Sequence, residues 1–153
     1  MLQRLFPPAF DNVFPGQKIA LWLFYLLTAI TLWRSQHHIF AADGGAQSIA
    51  TIPLDTYVQG GAATVVSVFA LWGLAQLSMA FIMLLACIRY KAMIPLLWLF
   101  ILFEYLGRLC IGMYKPIETI ETAPGQTGNV VLPIIALAML ILSLIPPSNH
   151  SAK

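Results

Sequence analysis

The chain has 153 residues, of which 59% are hydrophobic and only 9% charged, with a net charge of +2. Soluble domains average about 25% charged residues, so this composition excludes an ordinary soluble domain. The small net charge also argues against a nucleic-acid partner. No glycine-rich phosphate loop, nucleophile elbow, C-x-x-C or H-E-x-x-H motif occurs, and we predict no cofactor.

The first element is an apolar N-terminal segment, residues 1–17, which carries three prolines, Pro7, Pro8 and Pro15. Proline lacks a backbone N–H and clashes with the preceding turn, so these residues prevent a long helix. We predict that the segment lies in the inner interface of a bilayer. A docking strip for a partner protein is the alternative.

Long apolar runs occupy most of the remaining chain. A helix needs about 20 apolar residues to cross the hydrocarbon of a membrane, and four segments reach or approach that length. The pattern therefore predicts an all-α, integral membrane four-helix bundle formed by a single domain, residues 1–153. The predicted spans are residues 18–34, 61–88, 92–114 and 129–145, with outer loops at 35–60 and 115–128.

The first outer loop begins with adjacent histidines, His37 and His38. Neighbouring residues on a helix point about 100° apart, so these two cannot easily bind one metal from one helix. A loop conformation would permit it, but no metal-ligand spacing supports a site. We therefore treat them as weak metal candidates and predict no metal. In the second outer loop, Ala123–Pro124–Gly125–Gln126 predicts a turn.

The second span carries a series of small residues. Small side chains let helices approach closely in a membrane. Packing inside the bundle is the simpler interpretation, and contact with a membrane protein partner through this helix is the alternative. The residues are Gly60, Ala63, Ser67, Ala70, Gly73 and Ala80.

The third span contains two ionisable residues, Glu104 and Arg108. Charged groups at membrane depth are costly and normally face a partner, a cavity or water. Four residues apart on a helix, the two share a face, and an acid that precedes a base is the better order for a pair. Glu104 lies about 15 Å below Tyr114 at 1.5 Å per residue.

Buried polar groups in lipid need hydrogen-bond partners from the protein. At the depth of the pair, or slightly deeper, the other spans offer Tyr25, Thr28, Ser67 and Gln76. The simpler interpretation of the pair is a closed internal staple that fixes helix register. The functional hypothesis is that these residues join Glu104 and Arg108 in a ligand-binding site, and a proton relay is a further alternative.

Basic residues predict the orientation, because cytoplasmic loops carry an excess of lysine and arginine. The side with the longer loops has Arg34 and Lys115. The compact loops and the lack of an obvious targeting peptide favour a bacterial inner membrane. We predict that both termini are cytoplasmic. The basic residues on the side of the termini are Arg4, Lys18, Arg89, Lys91 and Lys153.

Three short motifs resemble a known group of proteins. They are Ala70–Leu71–Trp72–Gly73, the basic turn Arg89–Tyr90–Lys91, and Glu104–Tyr105–Leu106–Gly107–Arg108. In these motifs the last three spans resemble uncharacterised bacterial four-helix membrane proteins of the DoxX-like type. The resemblance implies a four-helix membrane bundle and carries no catalytic residues with it.

These features predict a multi-pass protein of the cell membrane whose partners are the lipid bilayer and no nucleic acid. The leading hypothesis is a non-enzymatic protein, either an accessory subunit or a small bundle with an outer-half polar pocket at Glu104 and Arg108. The alternative is an enzyme or carrier that acts on a lipid-like or quinone-like molecule.

Overall fold

The computed structural model describes residues 1–147, and these residues are all-α, which confirms that part of the predicted fold class. Single 3₁₀ turns at Leu54–Thr56 and Lys91–Met93 lie between the longer helices. The helices are α1 (Leu2–Leu5), α2 (Lys18–Phe40), α3 (Gln59–Ile88), α4 (Ile94–Tyr114) and α5 (Pro124–Leu144).

Three helices are long and apolar enough to cross a membrane: Gln59–Ile88, Lys91–Tyr114 and Pro124–Leu144. Their outward faces carry large apolar side chains, such as Phe103, which is 75% exposed, and Ile134, which is 69% exposed. A continuous apolar surface of this kind is unfavourable in water and favourable in lipid. The chain is therefore a membrane protein.

Helix α2 is not among these three, and it extends beyond the predicted span 18–34 to end at Phe40. Its last turns contain Ser35 and His38, which are polar yet buried. Because these side chains are buried in the protein, the helix continues through them. In the sequence alone, the same polar stretch indicates the end of a span.

Helix α5 begins at Pro124, whereas the sequence predicted a turn there and a span from residue 129. Proline suits the first position of a helix, because the missing N–H would have no partner there and its fixed φ is helical. The predicted turn is thus the first turn of a helix.

The helices pack mainly as two pairs, α2 with α3 and α4 with α5, and α2 also contacts α4 and α5. The main apolar core centres on Trp98 of α4, which is 1% exposed. Its ring meets Phe24 of α2 edge to face at 5.6 Å, and its indole N–H donates to the Ala20 carbonyl at 3.3 Å. Met83 of α3 and Met139 of α5 complete the contact among the four helices.

We call the end of the bundle that holds the α3–α4 turn and the last turn of α5 the turn end. The N-terminal segment crosses this end. Arg4 donates to the Leu144 carbonyl at 2.9 Å, and the Gln17 N–H donates to the Leu142 carbonyl at 3.0 Å. The last carbonyls of a helix have no partner within it, so the segment satisfies groups that α5 leaves open.

We call the opposite end, formed by residues 41–58 and 115–123, the loop end. There Asp43 accepts hydrogen bonds from the N–H groups of Gly45, Gln47 and Ser48. Burial alone would raise the pKa of Asp43, but hydrogen bonds from Ser48, Gly45 and Gln47 lower it to about 2. The adjacent Gly44 and Gly45 have φ values of 61° and 75°, which favour glycine.

The two loops also hold each other. The Thr51 hydroxyl donates to the Glu121 carbonyl at 2.8 Å, and the Ile120 N–H donates to the Thr51 carbonyl at 2.9 Å. Beneath them, Ile52 and Leu54 pack against the first turns of α3 in a second, smaller apolar cluster. The loop end is therefore an ordered cap.

Candidate functional site

A cavity of about 160 Å³ lies between α2, α3 and α4. It lies between the Trp98 core and the loop end. One part of its wall is polar and the other part is apolar. The apolar lining is Leu27, Ala75, Met79, Met83 and Ile101, and the polar lining is Thr31, Arg34, Gln76, Glu104 and Tyr105.

The polar part is organised by a contact between Arg34 of α2 and Gln76 of α3. The Arg34 Nε donates to the Gln76 Oε1 at 3.0 Å. Gln76 is only 6% exposed, and within residues 1–147 its Nε2 is buried without a hydrogen-bond partner. Because an arginine can only donate, this bond fixes which amide atom is the oxygen. The unpartnered atom is therefore a donor.

The second polar element is an ion pair within α4. The Arg108 Nε donates to the Glu104 Oε1 at 3.1 Å, and the Arg108 Nη2 also contacts that oxygen. The Glu104 side chain is 45% exposed and that of Arg108 is 17% exposed. The pair thus lies at the rim of the cavity, which it leaves open to the surface of the bundle.

The guanidinium of Arg108 lies 4.9 Å from the ring centroid of Trp72 on α3 and 5.1 Å from that of Tyr105. Aromatic faces attract cations through the ring quadrupole. Since Glu104 and Arg108 share one helix, their bond does not join two helices. Any role in fixing helix register rests on the contact of Arg108 with Trp72.

The charges around the cavity do not balance. Glu104 and Arg108 form the one salt bridge within the described part of the chain, and it leaves Arg34 with the neutral Gln76 amide and the Trp72 ring, whose centroid is 6.0 Å from its guanidinium carbon. Arg34 and Glu104 line the cavity, whereas Arg108 contacts Glu104 from outside the lining, and the three groups together carry an excess of one positive charge. An uncompensated charge is costly at membrane depth.

The structure places Glu104 and Gln76 in the lining of this cavity and Arg108 beside Glu104, and it places the other residues of the predicted ligand site elsewhere. Thr28 is buried and donates to the Phe24 carbonyl at 2.7 Å. Tyr25 packs edge to face on the neighbouring Trp22 ring at 5.5 Å, and Ser67 is exposed. None of these three lines the cavity.

The register of the helices explains the difference. Because α2 extends to Phe40, its residues at the level of Glu104 are Thr31 and Arg34, nearer its end than Tyr25 and Thr28. Sequence reasoning assigned Arg34 to the membrane edge and did not consider Thr31. The spacing of Leu27, Thr31, Arg34 and His38 places them on one face of a helix, and that pattern was the available signal.

The two histidines are separated by their packing. His38 Nδ1 donates to the Gly44 carbonyl at 2.7 Å, and its ring lies 4.8 Å from that of Trp72. The ring of His37 instead stacks on Trp33 at 5.7 Å. Residues 1–147 contain no group of three histidine, cysteine or acidic side chains that could hold a metal. His38 thus ties the end of α2 to the first loop.

The small residues of α3 serve two environments. Ala80 is buried, and a Cβ on Gly73 would lie 2.7 Å from the His38 Cβ, so Gly73 permits the close approach of α2. Gly60, Ala63 and Ser67 are exposed near the loop end. The buried members of the series therefore pack within the bundle.

Comparison with known proteins adds no relative: no family model, curated protein or solved structure matches the chain.

Proposed function

We propose that this protein is a non-enzymatic, four-span membrane protein that binds an amphiphilic small molecule between α2, α3 and α4. The observation that carries the proposal is the cavity itself, which has a buried, unpartnered amide donor on one wall and an apolar lining towards the core. Ligand sites commonly combine a mostly apolar lining with a few converging polar groups.

The proposal includes α2 as the fourth span. Its 23 residues are about 35 Å long, enough to cross a hydrocarbon layer of about 30 Å. The helix starts beside the last turn of α5. Its Arg34 contacts Gln76, so the helix reaches the level of Gln76 on α3 and continues beyond it. The polar residues that lower its apolar character, such as Ser35 and His38, are buried in the protein.

Both termini lie on the cytoplasmic side of a bacterial inner membrane in this proposal. Arg34 belongs to the cavity rather than to the outer loop, which leaves Lys115 as the basic residue of the loop end within the described chain. The turn end holds Arg4, Lys18, Arg89 and Lys91. This asymmetry follows the excess of positive charge in cytoplasmic loops.

A topology measurement tests the four-span arrangement. Reporters fused to each end, one active only in the cytoplasm and one only outside it, should place both termini inside. Termini on opposite sides of the membrane would show that α2 does not span, and would overturn this part of the proposal.

The cavity is sized for part of an amphiphile. A cavity of about 150 Å³ in another protein holds one benzene, and this one is of about 160 Å³. It accommodates a headgroup and the first carbons of a chain. Since Glu104 at the rim is 45% exposed, the rest of the chain can leave sideways into the bilayer.

The polar groups of the cavity favour binding over catalysis. Arg34 and Gln76 hydrogen-bond each other, and Glu104 is held as the partner of Arg108. These contacts leave Gln76 Nε2 and the terminal nitrogens of Arg34 as donors for a bound group. The alternative, an enzyme or carrier for a lipid-like or quinone-like molecule, requires that the bound molecule be converted or moved across the membrane.

The binding proposal is tested by filling the cavity. The wild type, Ala75→Trp at the cavity wall and Ala63→Trp on an exposed part of the same helix are purified in native lipid nanodiscs. Mass spectrometry then identifies the small molecules that co-purify. We expect one amphiphile with the wild type and Ala63→Trp, and its loss from Ala75→Trp.

Three results would overturn the proposal of a non-enzymatic binding protein. The same molecules in equal amounts from all three proteins would show that the cavity binds none of them. A partner protein that co-purifies along α3, with no small molecule in the cavity, would instead support an accessory subunit. Conversion of the bound molecule during incubation would show an enzyme.

A further inference from the structure

We infer that the cavity selects an amphiphile with an anionic oxyacid headgroup, a carboxylate or a phosphate monoester, on a single chain. The headgroup oxygens would accept hydrogen bonds from Gln76 and Arg34. This inference rests on the proposed function, because it names the class of ligand for the same cavity.

The first argument is the unpartnered donor. Gln76 Nε2 is buried, and its orientation is fixed by the bond from Arg34 Nε to Gln76 Oε1. A buried polar group without a hydrogen bond destabilises the fold by about 1–3 kcal/mol. A ligand that supplies an acceptor removes this penalty, and a ligand that offers only donors does not.

The second argument is geometric. The Nε of Arg34 bonds Gln76, so the two terminal nitrogens of its planar guanidinium remain for a ligand. Guanidinium groups present parallel N–H donors that match two oxygens of a carboxylate or phosphate. Together with Gln76 Nε2, Arg34 forms a set of donors suited to an oxyacid, whereas an alcohol offers a single oxygen.

The third argument is charge. Arg34 lines the cavity, and Glu104, the one carboxylate of the lining, is paired with Arg108. Within residues 1–147 the positive charge of Arg34 therefore has no carboxylate partner. A headgroup with one negative charge neutralises it. Glu104 lies at the rim and repels further negative charge, so the site favours a monoanion over a dianion.

The number of chains follows from the volume. A cavity of about 160 Å³ admits one headgroup and a few carbons and has no room for the glycerol and second chain of a phospholipid. A single chain can continue past Leu27, Met79 and Met83 and leave the bundle at its surface.

The test is a headgroup series at fixed chain length. Binding of a fatty acid, an alkyl phosphate, a primary alcohol, an alkyl trimethylammonium and a short-chain quinone is measured by native mass spectrometry on purified wild type. The pH is held where the carboxylate is ionised and the alkyl phosphate carries one negative charge, below its second pKa of about 6. We expect each anion to bind at least about tenfold more tightly than the alcohol, since a hydrogen bond to a charged group contributes more than a neutral one.

A near-isosteric variant separates charge from shape. Gln76→Glu places a carboxylate beside Arg34, supplies the missing charge and keeps the volume, so anion preference should be lost while the protein still folds. Gln59→Glu makes the same change at an exposed site at the start of α3 and should bind as the wild type does. The headgroup series on the wild type tests the anion preference even where a variant does not fold.

The outcomes distinguish this inference from the proposed function. Preference for the fatty acid or for the alkyl phosphate supports the inference and identifies which oxyacid is bound. Equal binding of anion and alcohol, or preference for the quinone or the cation, overturns the inference and leaves the binding proposal intact. Failure of every amphiphile to bind overturns both.

Discussion

The turn-end half and the loop-end half of this bundle differ in how their helices pack. Around Trp98, side chains from α2, α3, α4 and α5 interdigitate in a closed apolar core. Towards the loop end, α2, α3 and α4 carry Arg34, Gln76 and Glu104 around a cavity, and Arg108 is paired with Glu104. One half of the molecule is thus closed by apolar packing, and the other half has polar groups beside a cavity.

The contrast also explains the distribution of small residues. In lipid, helix association depends on close van der Waals contact and hydrogen bonds rather than on exclusion of water. Gly73 brings α2 and α3 together just beyond the cavity, and Gly16 lets the N-terminal segment approach the backbone of Ser143. These two close approaches lie on either side of the cavity.

The largest expected effect comes from breaking the core. Trp98→Ala removes a ring that is 1% exposed and should destabilise the protein by about 3 kcal/mol through lost packing. Thermal unfolding in detergent measures it. Trp22→Ala is the matched control, since Trp22 is 66% exposed. Equal losses in both variants would show that the core at Trp98 does not stabilise the bundle.

Gly73→Ala should come next. Its Cβ would lie 2.7 Å from the His38 Cβ and 3.0 Å from the Ser35 carbonyl oxygen, so α2 must move away. Overpacking of this kind costs about 1–3 kcal/mol. Gly107→Ala, where nothing lies within 4 Å, should instead stabilise α4 by about 0.5–1 kcal/mol. Thermal unfolding should therefore show opposite signs, and a shared sign would contradict the close approach.

The loop end should respond to pH through Asp43. Its pKa of about 2 in the folded protein lies below the ordinary 3.8. Its hydrogen bonds therefore stabilise the loop fully above about pH 4 and are lost as the pH falls through the folded-state pKa. Hydrogen exchange of residues 41–58 should rise over that window.

A substitution tests the same loop at neutral pH. Asp43→Asn should raise exchange in residues 41–58, with a loss of about 1 kcal/mol, similar to that of a helix cap. Asp55→Asn changes an exposed carboxylate of the same loop and should have little effect. If both variants exchange alike, the Asp43 bonds do not order the loop.

The smallest effect is expected at the rim. Glu104→Gln breaks a pair within one helix, and such pairs contribute about 0.5 kcal/mol or less. Arg108 keeps its contacts with the rings of Trp72 and Tyr105. Thermal unfolding should change by less than about 1 kcal/mol. A loss of several kcal/mol, rescued by adding Arg108→Leu, would show instead that the pair is a structural staple.

The sequence predicted part of the candidate site. The spacing of Glu104 and Arg108 on an apolar helix was enough to pair them, because a helix places residues four apart on one face. Gln76 was found by its depth. Tyr25, Thr28 and Ser67 do not line the cavity. Their depth was counted from predicted span ends, so an error in the position of an end shifts every residue that is placed from it. Arg34 was missed as a site residue for the same reason.

Composition and periodicity by themselves determined that the chain is an all-α membrane protein, since backbone groups in lipid must be satisfied within each segment. Only the tertiary structure decided where α2 ends, because Ser35 and His38 are tolerated in a helix once α3 and the first loop bury them. Packing also decided that the Gln76 amide meets Arg34 and that Gln76 lies in the lining of the cavity. That arrangement depends on contacts between residues 42 positions apart, which no local pattern encodes.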